Sequence, residues 1–145
     1  MDGEPSAAST EHRARVVWNG TKQDLRAHRI EVAGQTILGS SMPEVGGDPE
    51  RADPEGLFVA ALAACHMLWF LALARGDRLR VTAYEDAAVG ELDGERIVRV
   101  GLRPQVEFES GVDGEILARL HHEAHARCYL ANSVNFPVEV EVAGP

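Results

Sequence analysis

The sequence holds two cysteines, and each stands where its thiol could do chemistry. Cys65 lies in the middle of "GLFVAALAACHMLWFLALARG", residues 56–76, a nearly unbroken apolar run. Cys128 follows the stretch "LHHEAHAR". At about 100° of rotation per residue, His121, His125 and Cys128 fall within roughly 60° on one helical face. Leu117 and Ala124 share that side, so the face points inward, and two inward cysteines on two helices could meet. Three chemistries are open to them. Either cysteine alone suits a small buried hydrophobe. His121, His125 and Cys128, with Cys65 or His66 from the other helix, could supply a tetrahedral nitrogen and sulfur set for a metal. "HHEAH" is not the zinc-protease pattern H-E-x-x-H, however, and no acidic partners for these histidines are evident. The third chemistry is a thiolate nucleophile.

The elements that must position these residues can be read along the chain. "RARVVW" (13–18) and "LRAHRIEVA" (25–33) suit two strands around the turn "NGTKQD". "QTILGSSMPEVGGDPERADP" (35–54) reads as a loop dense in Gly, Pro, Ser and Asp, a natural wall for a site. A helix then starts at Asp53 as N-cap, with Pro54 in its first position and Glu55 at the positive end of its dipole, and closes at Gly76. "LRVTAYEDAAVGEL" (79–92) and "RIVRVGLRPQVEFE" (96–109) alternate around the turn "DGE", which predicts one antiparallel hairpin. Residues 112–131 suit a second helix and "PVEVEVA" (137–143) a last strand. The order β-β-α-β-β-α-β predicts an α+β fold with antiparallel sheets around two buried helices, rather than a doubly wound parallel sheet.

Composition narrows the partners. At 145 residues the chain suits one domain, here 13–145, behind a short tail over residues 1–12. The net charge of −9 leaves no basic stripe for nucleic acid and disfavours anionic membranes. Leu57–Ala74 reaches the length of a membrane span, but its flanking strands call for a central helix, so a buried helix is the expectation. The first residues carry no basic segment followed by an apolar one, so a cytoplasmic setting is expected, where thiols stay reduced unless they work.

"DPEGLFVAALAACHMLWFLALA" resembles the signature helix of the OsmC/Ohr family of thiol-dependent peroxidases, in which an N-P-E motif precedes a cysteine ten residues beyond the glutamate. "AHARCYLANSVNFPVEVEV" is similar to that family's second cysteine segment, and together the resemblance spans residues 13–143. Asp53 stands where the family usually has Asn. The resemblance implies that Cys65 matches the peroxidatic cysteine and Cys128 the resolving one, without metal or cofactor. It implies further that Glu55 orients a catalytic arginine, for which Arg26 is the best positional match and Arg29 and Arg51 are alternatives. Family members are intertwined homodimers that reduce organic hydroperoxides and are recycled by a dithiol, such as a lipoyl protein or another thiol. A family member that has lost its activity would instead bind a hydrophobic ligand.

The chemistry is consistent with those assignments. Thiolate attacks peroxide, and burial opposes thiolate, so a mid-helix cysteine needs a cation from elsewhere. Phe58, Leu62, Trp69 and Phe70 would form an apolar wall that favours organic peroxides. Ten residues of continuous helix place Glu55 about 15 Å from Cys65. If both serve one site, the helix is broken or Glu55 acts on the cysteine of a second subunit, and an all-round apolar helix favours the two-fold dimer.

Overall fold

The computed structural model describes residues 9–18 and 20–142. Residues 1–8 of the expected tail, Asn19 of the expected turn and Ala143 of the expected last strand lie outside them. The chain divides into two compact units, one running to Pro54 and one from Glu55 onward.

In the first unit, strands β1 (Arg15–Trp18), β2 (His28–Val32) and β3 (Gln35–Gly39) form an antiparallel meander. β2 starts later than expected because the Asp24 carboxylate accepts the backbone N–H groups of Arg26 and Ala27 and holds them in a turn. β3 occupies residues expected in a loop. The tight turn before it needs two left-handed residues, and Ala33 (φ 51°) and Gly34 (φ 77°) supply them. Beyond β3 the chain folds back on itself, with Ser40 N–H donating to Ala52 O and Ala52 N–H to Leu38 O, both at 2.9 Å.

The second unit contains α1 (Pro54–Gly76), β4 (Val81–Asp86), β5 (Val89–Asp93), β6 (Arg96–Leu102), β7 (Pro104–Phe108), α2 (Gly114–Arg127) and β8 (Val138–Val140). α1 is unbroken along its 23 residues. It ends in crossed hydrogen bonds, Leu79 N–H to Ala74 O and Arg78 N–H to Arg75 O. Arg78 takes the left-handed conformation (φ 60°) that such an ending requires, a place usually left to glycine. The expected single hairpin is split in two. β4 pairs with β7 and β5 with β6, because the chain breaks step at Ala87–Ala88 and again at Arg103. The Asp86 carboxylate locks that break by accepting Arg103 N–H at 2.7 Å. β8 then joins β6 in parallel, whereas the other paired strands of this α+β fold run antiparallel.

α2 is shorter than expected. Asp113 caps it, its carboxylate accepting Glu115 N–H at 2.6 Å, and the helix stops at Arg127. Cys128 is therefore the C-cap residue, in an extended conformation (ψ 112°), and not part of the helix.

Two apolar clusters make the core of this unit. Leu62, Val100, Leu102 and Val138 form one; Phe70, Ala74, Leu120 and Ala124 form the other. α1 contributes to both, burying Leu62, His66, Phe70 and Ala74 at four-residue spacing. Its length and composition would also suit a membrane span, but this row of residues anchors it in the protein core. The opposite side of α1 is apolar and uncovered: Ala60, Ala61, Ala64 and Ala72 are exposed, and Leu68 is 62% accessible.

Candidate active site

Cys65 lies on the border between the two sides of α1. Leu62 and His66 flank it toward the core, and Ala61 and Leu68 flank it toward the uncovered face. Its thiol is half-buried, whereas Cys128 is 1% accessible. Both are free, and their side chains are in hydrogen-bond contact. Burial pushes the Cys128 thiol up, and the neighbouring Cys65 sulfur pushes the same way. The Cys128 sulfur accepts Ala131 N–H at 3.5 Å, so the turn after α2 holds it in place. A thiol kept protonated beside a more accessible one is an arrangement suited to two-step sulfur chemistry.

The residues expected to wall the site divide into two pairs. Phe58 and Trp69 lie two turns before and one turn after Cys65 on the same side of α1. Phe58 meets Phe136 edge-on at 5.9 Å, and Trp69 meets Tyr129 edge-on at 5.5 Å. The Arg127 guanidinium lies 5.7 Å over the Trp69 ring. Leu62 and Phe70 are fully buried and serve the two core clusters instead.

Glu55 is half-buried at the start of α1, and its Oε2 is enclosed without a hydrogen-bond partner. Since α1 is continuous, Glu55 and Cys65 of one chain are separated by about 15 Å of helix. The three candidate arginines belong to the first unit. Arg29 donates to Glu31 at 3.0 Å, and Arg51 pairs with Asp48 and donates to His28 O and Gly39 O. The Arg26 guanidinium rests against the backbone at Gly46 (φ 92°), where an added Cβ would come within 3.4 Å of it.

The histidines are organised in a way the sequence did not disclose. His66 and His121, at 0% and 3% accessibility, bond to one another through Nε2 and Nδ1 at 3.0 Å, with ring planes only 8° apart. Phe70 packs on His121 at 4.4 Å. Among the described residues no three His, Cys, Asp or Glu side chains come together to hold a metal ion. The set His121, His125, Cys128 with Cys65 or His66 therefore does not converge. The signal for the histidine pair was the rotation of about 100° from Cys65 to His66, which turns His66 to the core face.

The family model described as OsmC-like protein matches residues 47–143. An OsmC-like protein of unknown function from Vibrio cholerae is 37% identical, and the match covers 93% of this chain and 100% of that one at a TM-score of 0.85. An organic hydroperoxide resistance protein from Elizabethkingia anophelis is 17% identical over 97% of this chain and 100% of that one, with a TM-score of 0.75. Another, from Legionella pneumophila, is 20% identical over 96% and 100%, with a TM-score of 0.71. At those identities the last two establish a shared fold. No curated protein matches the sequence.

Proposed function

The chain belongs to the OsmC-like family, and from that premise we propose that it is a metal-free cysteine peroxidase that reduces organic hydroperoxides as a cytoplasmic homodimer, residues 13–145 acting as one domain. The observation that carries this reading is the contact between a half-buried Cys65 and a buried, protonated Cys128.

The Cys65 thiolate attacks the terminal peroxide oxygen, the O–O bond breaks, and the alkoxide leaves as alcohol after taking a proton. Cys65 is then a sulfenic acid. The Cys128 sulfur displaces its hydroxyl, which departs with the Cys128 proton as water, and a 65–128 disulfide forms. An external dithiol reduces that disulfide by exchange. Phe58 and Trp69 provide an apolar surface for the organic part of the substrate, backed by Leu62 and Phe70.

Arg26 supplies the positive charge that favours the thiolate, and Glu55 aims it. With α1 unbroken, a Glu55 that serves this chemistry does so at the cysteine of the second subunit. Two observations support that exchange. The Glu55 oxygen is enclosed without a partner, and Cys65 borders the uncovered apolar face on which another α1 would dock. Reacting the protein with cumene hydroperoxide and following its mass tests the reading. Wild type should lose the mass of two hydrogen atoms as the disulfide forms and regain it with dithiol. Cys65→Ser should yield no trappable sulfenic acid. Cys128→Ser should react once, stall as sulfenic acid and overoxidise under excess peroxide. A Cys65 that ignores peroxide in the folded protein would favour a ligand-binding relic and end the peroxidase reading.

A further inference from the structure

The buried histidine pair has no part in the chemistry just described, yet the protein carries it at a cost. His66 Nδ1 and His121 Nε2, the outer nitrogens of the pair, are both enclosed without hydrogen-bond partners. Buried polar atoms left unsatisfied destabilise a fold, and apolar side chains of similar volume would do better there. Stability does not explain the pair. Direction does. The contacts that pack around Phe70, Ala74, Leu120 and Ala124 are apolar, and apolar packing tolerates rearrangement. A hydrogen bond between two rings does not.

The ends of that bond are placed to matter. His66 is the residue after Cys65 on α1, and His121 lies on α2, whose last residue, Arg127, directly precedes Cys128. One bond therefore fixes how α2 sits along α1 close to both sulfurs. A slip of one turn would move Cys128 by about 5.4 Å. A disulfide tolerates Cα separations only between about 4.4 and 6.8 Å, so such a slip would put it out of reach.

We propose that His66 and His121 form a positioning pair for the disulfide-forming step, holding α2 in the register that keeps Cys128 on Cys65. The pair touches no reacting atom. In the step it serves, the S–OH bond of Cys65 and the S–H bond of Cys128 break, the S–S bond forms, and water leaves. The inference rests on the peroxidase reading for its biological setting, but register can be tested without peroxide.

The experiment compares wild type with His66→Leu, His66→Gln and the double variant His66→Leu/His121→Phe. Each is followed by thermal melting, by sulfenic acid trapping after cumene hydroperoxide, and by the rate of 65–128 disulfide formation. The double variant should melt at or above the wild-type temperature and form sulfenic acid at the wild-type rate. It should close the disulfide roughly tenfold to a hundredfold more slowly, the usual cost of an ångström-scale misplacement, with sulfinic acid accumulating. Gln can reach the position of the imidazole Nε2, so His66→Gln should recover most of the closure rate that His66→Leu loses. Wild-type closure in the double variant, or His66→Gln as slow as His66→Leu, would overturn the proposal. So would melting temperature and closure rate falling in parallel, which marks a structural role. If the double variant does not fold, the single His66 variants carry the comparison. Driving closure with diamide separates the two ideas: the same ranking without peroxide supports register even if the peroxidase reading fails.

Discussion

Two neutral imidazoles in an apolar core set an acid limit on the fold. Burial pushes His66 down to about 4, helped by the charges His121 and His125 would carry, and burial alone takes His121 to about 4. Unfolded, each would titrate near 6.5. The folded state thus binds fewer protons between these values, so stability is complete above about pH 6.5 and is lost as pH falls toward 4. For a lowering of this size the first proton taken up by the pair costs about 3 kcal/mol, the two sites being coupled. The urea midpoint should therefore drop between pH 6.5 and 4.5 in wild type and drop less in His66→Leu/His121→Phe; parallel curves would refute the assignment. Arg26 makes a prediction at the same scale. Arg26→Ala should slow Cys65 oxidation at neutral pH by about tenfold or more, the loss expected when an activating positive charge is removed. Should Arg26→Ala be silent while Arg29→Ala or Arg51→Ala is crippled, the cation was misassigned and the mechanism stands.

The elements differ in how openly the sequence declares them. The first helix did so through local signals, Pro54 with Glu55 opening α1, whereas the Asp113 cap that opens α2 two residues later than expected emerged only in the structure. Strand partners depend on residues far away, which no local pattern names. Nothing local distinguishes one long hairpin from two pairs that break step at Ala87–Ala88 and Arg103, or announces that Val138–Val140 runs parallel to β6. β3 was hidden because an Ala-Gly turn is weaker punctuation than Asn-Gly. Both cysteines were legible as a pair, since helical spacing turns them inward, but the placing of Cys128 just past the end of α2 was not. Because α2 carries His121 and ends at Arg127, next to Cys128, its cap matters to both. Asp113→Ala should lower stability by about 1 kcal/mol without changing the chemistry of Cys65, read as a lower melting temperature with normal sulfenic acid formation.

At the scale of the molecule, the uncovered face of α1 is where the proposed dimer would form. Leu68 and a row of alanines leave an apolar surface that a lone chain would expose to water. The protein should sediment as a dimer at low micromolar concentration; a clean monomer there would remove the role given to Glu55. Leu68→Glu, which places a charge on that face, should shift the assembly toward monomer and depress peroxide turnover while the chain stays folded. α1 also passes through both apolar clusters of the second unit, lending Leu62 to one and Phe70 to the other. Loss of this helix would take buried residues from both clusters. Hydrogen exchange makes that visible: the slowest amides beside Val100 and those beside Leu120 should share one opening free energy and respond together to denaturant, as a single cooperative unit. Closing a disulfide at Cys65 would then be felt at both ends of the helix at once.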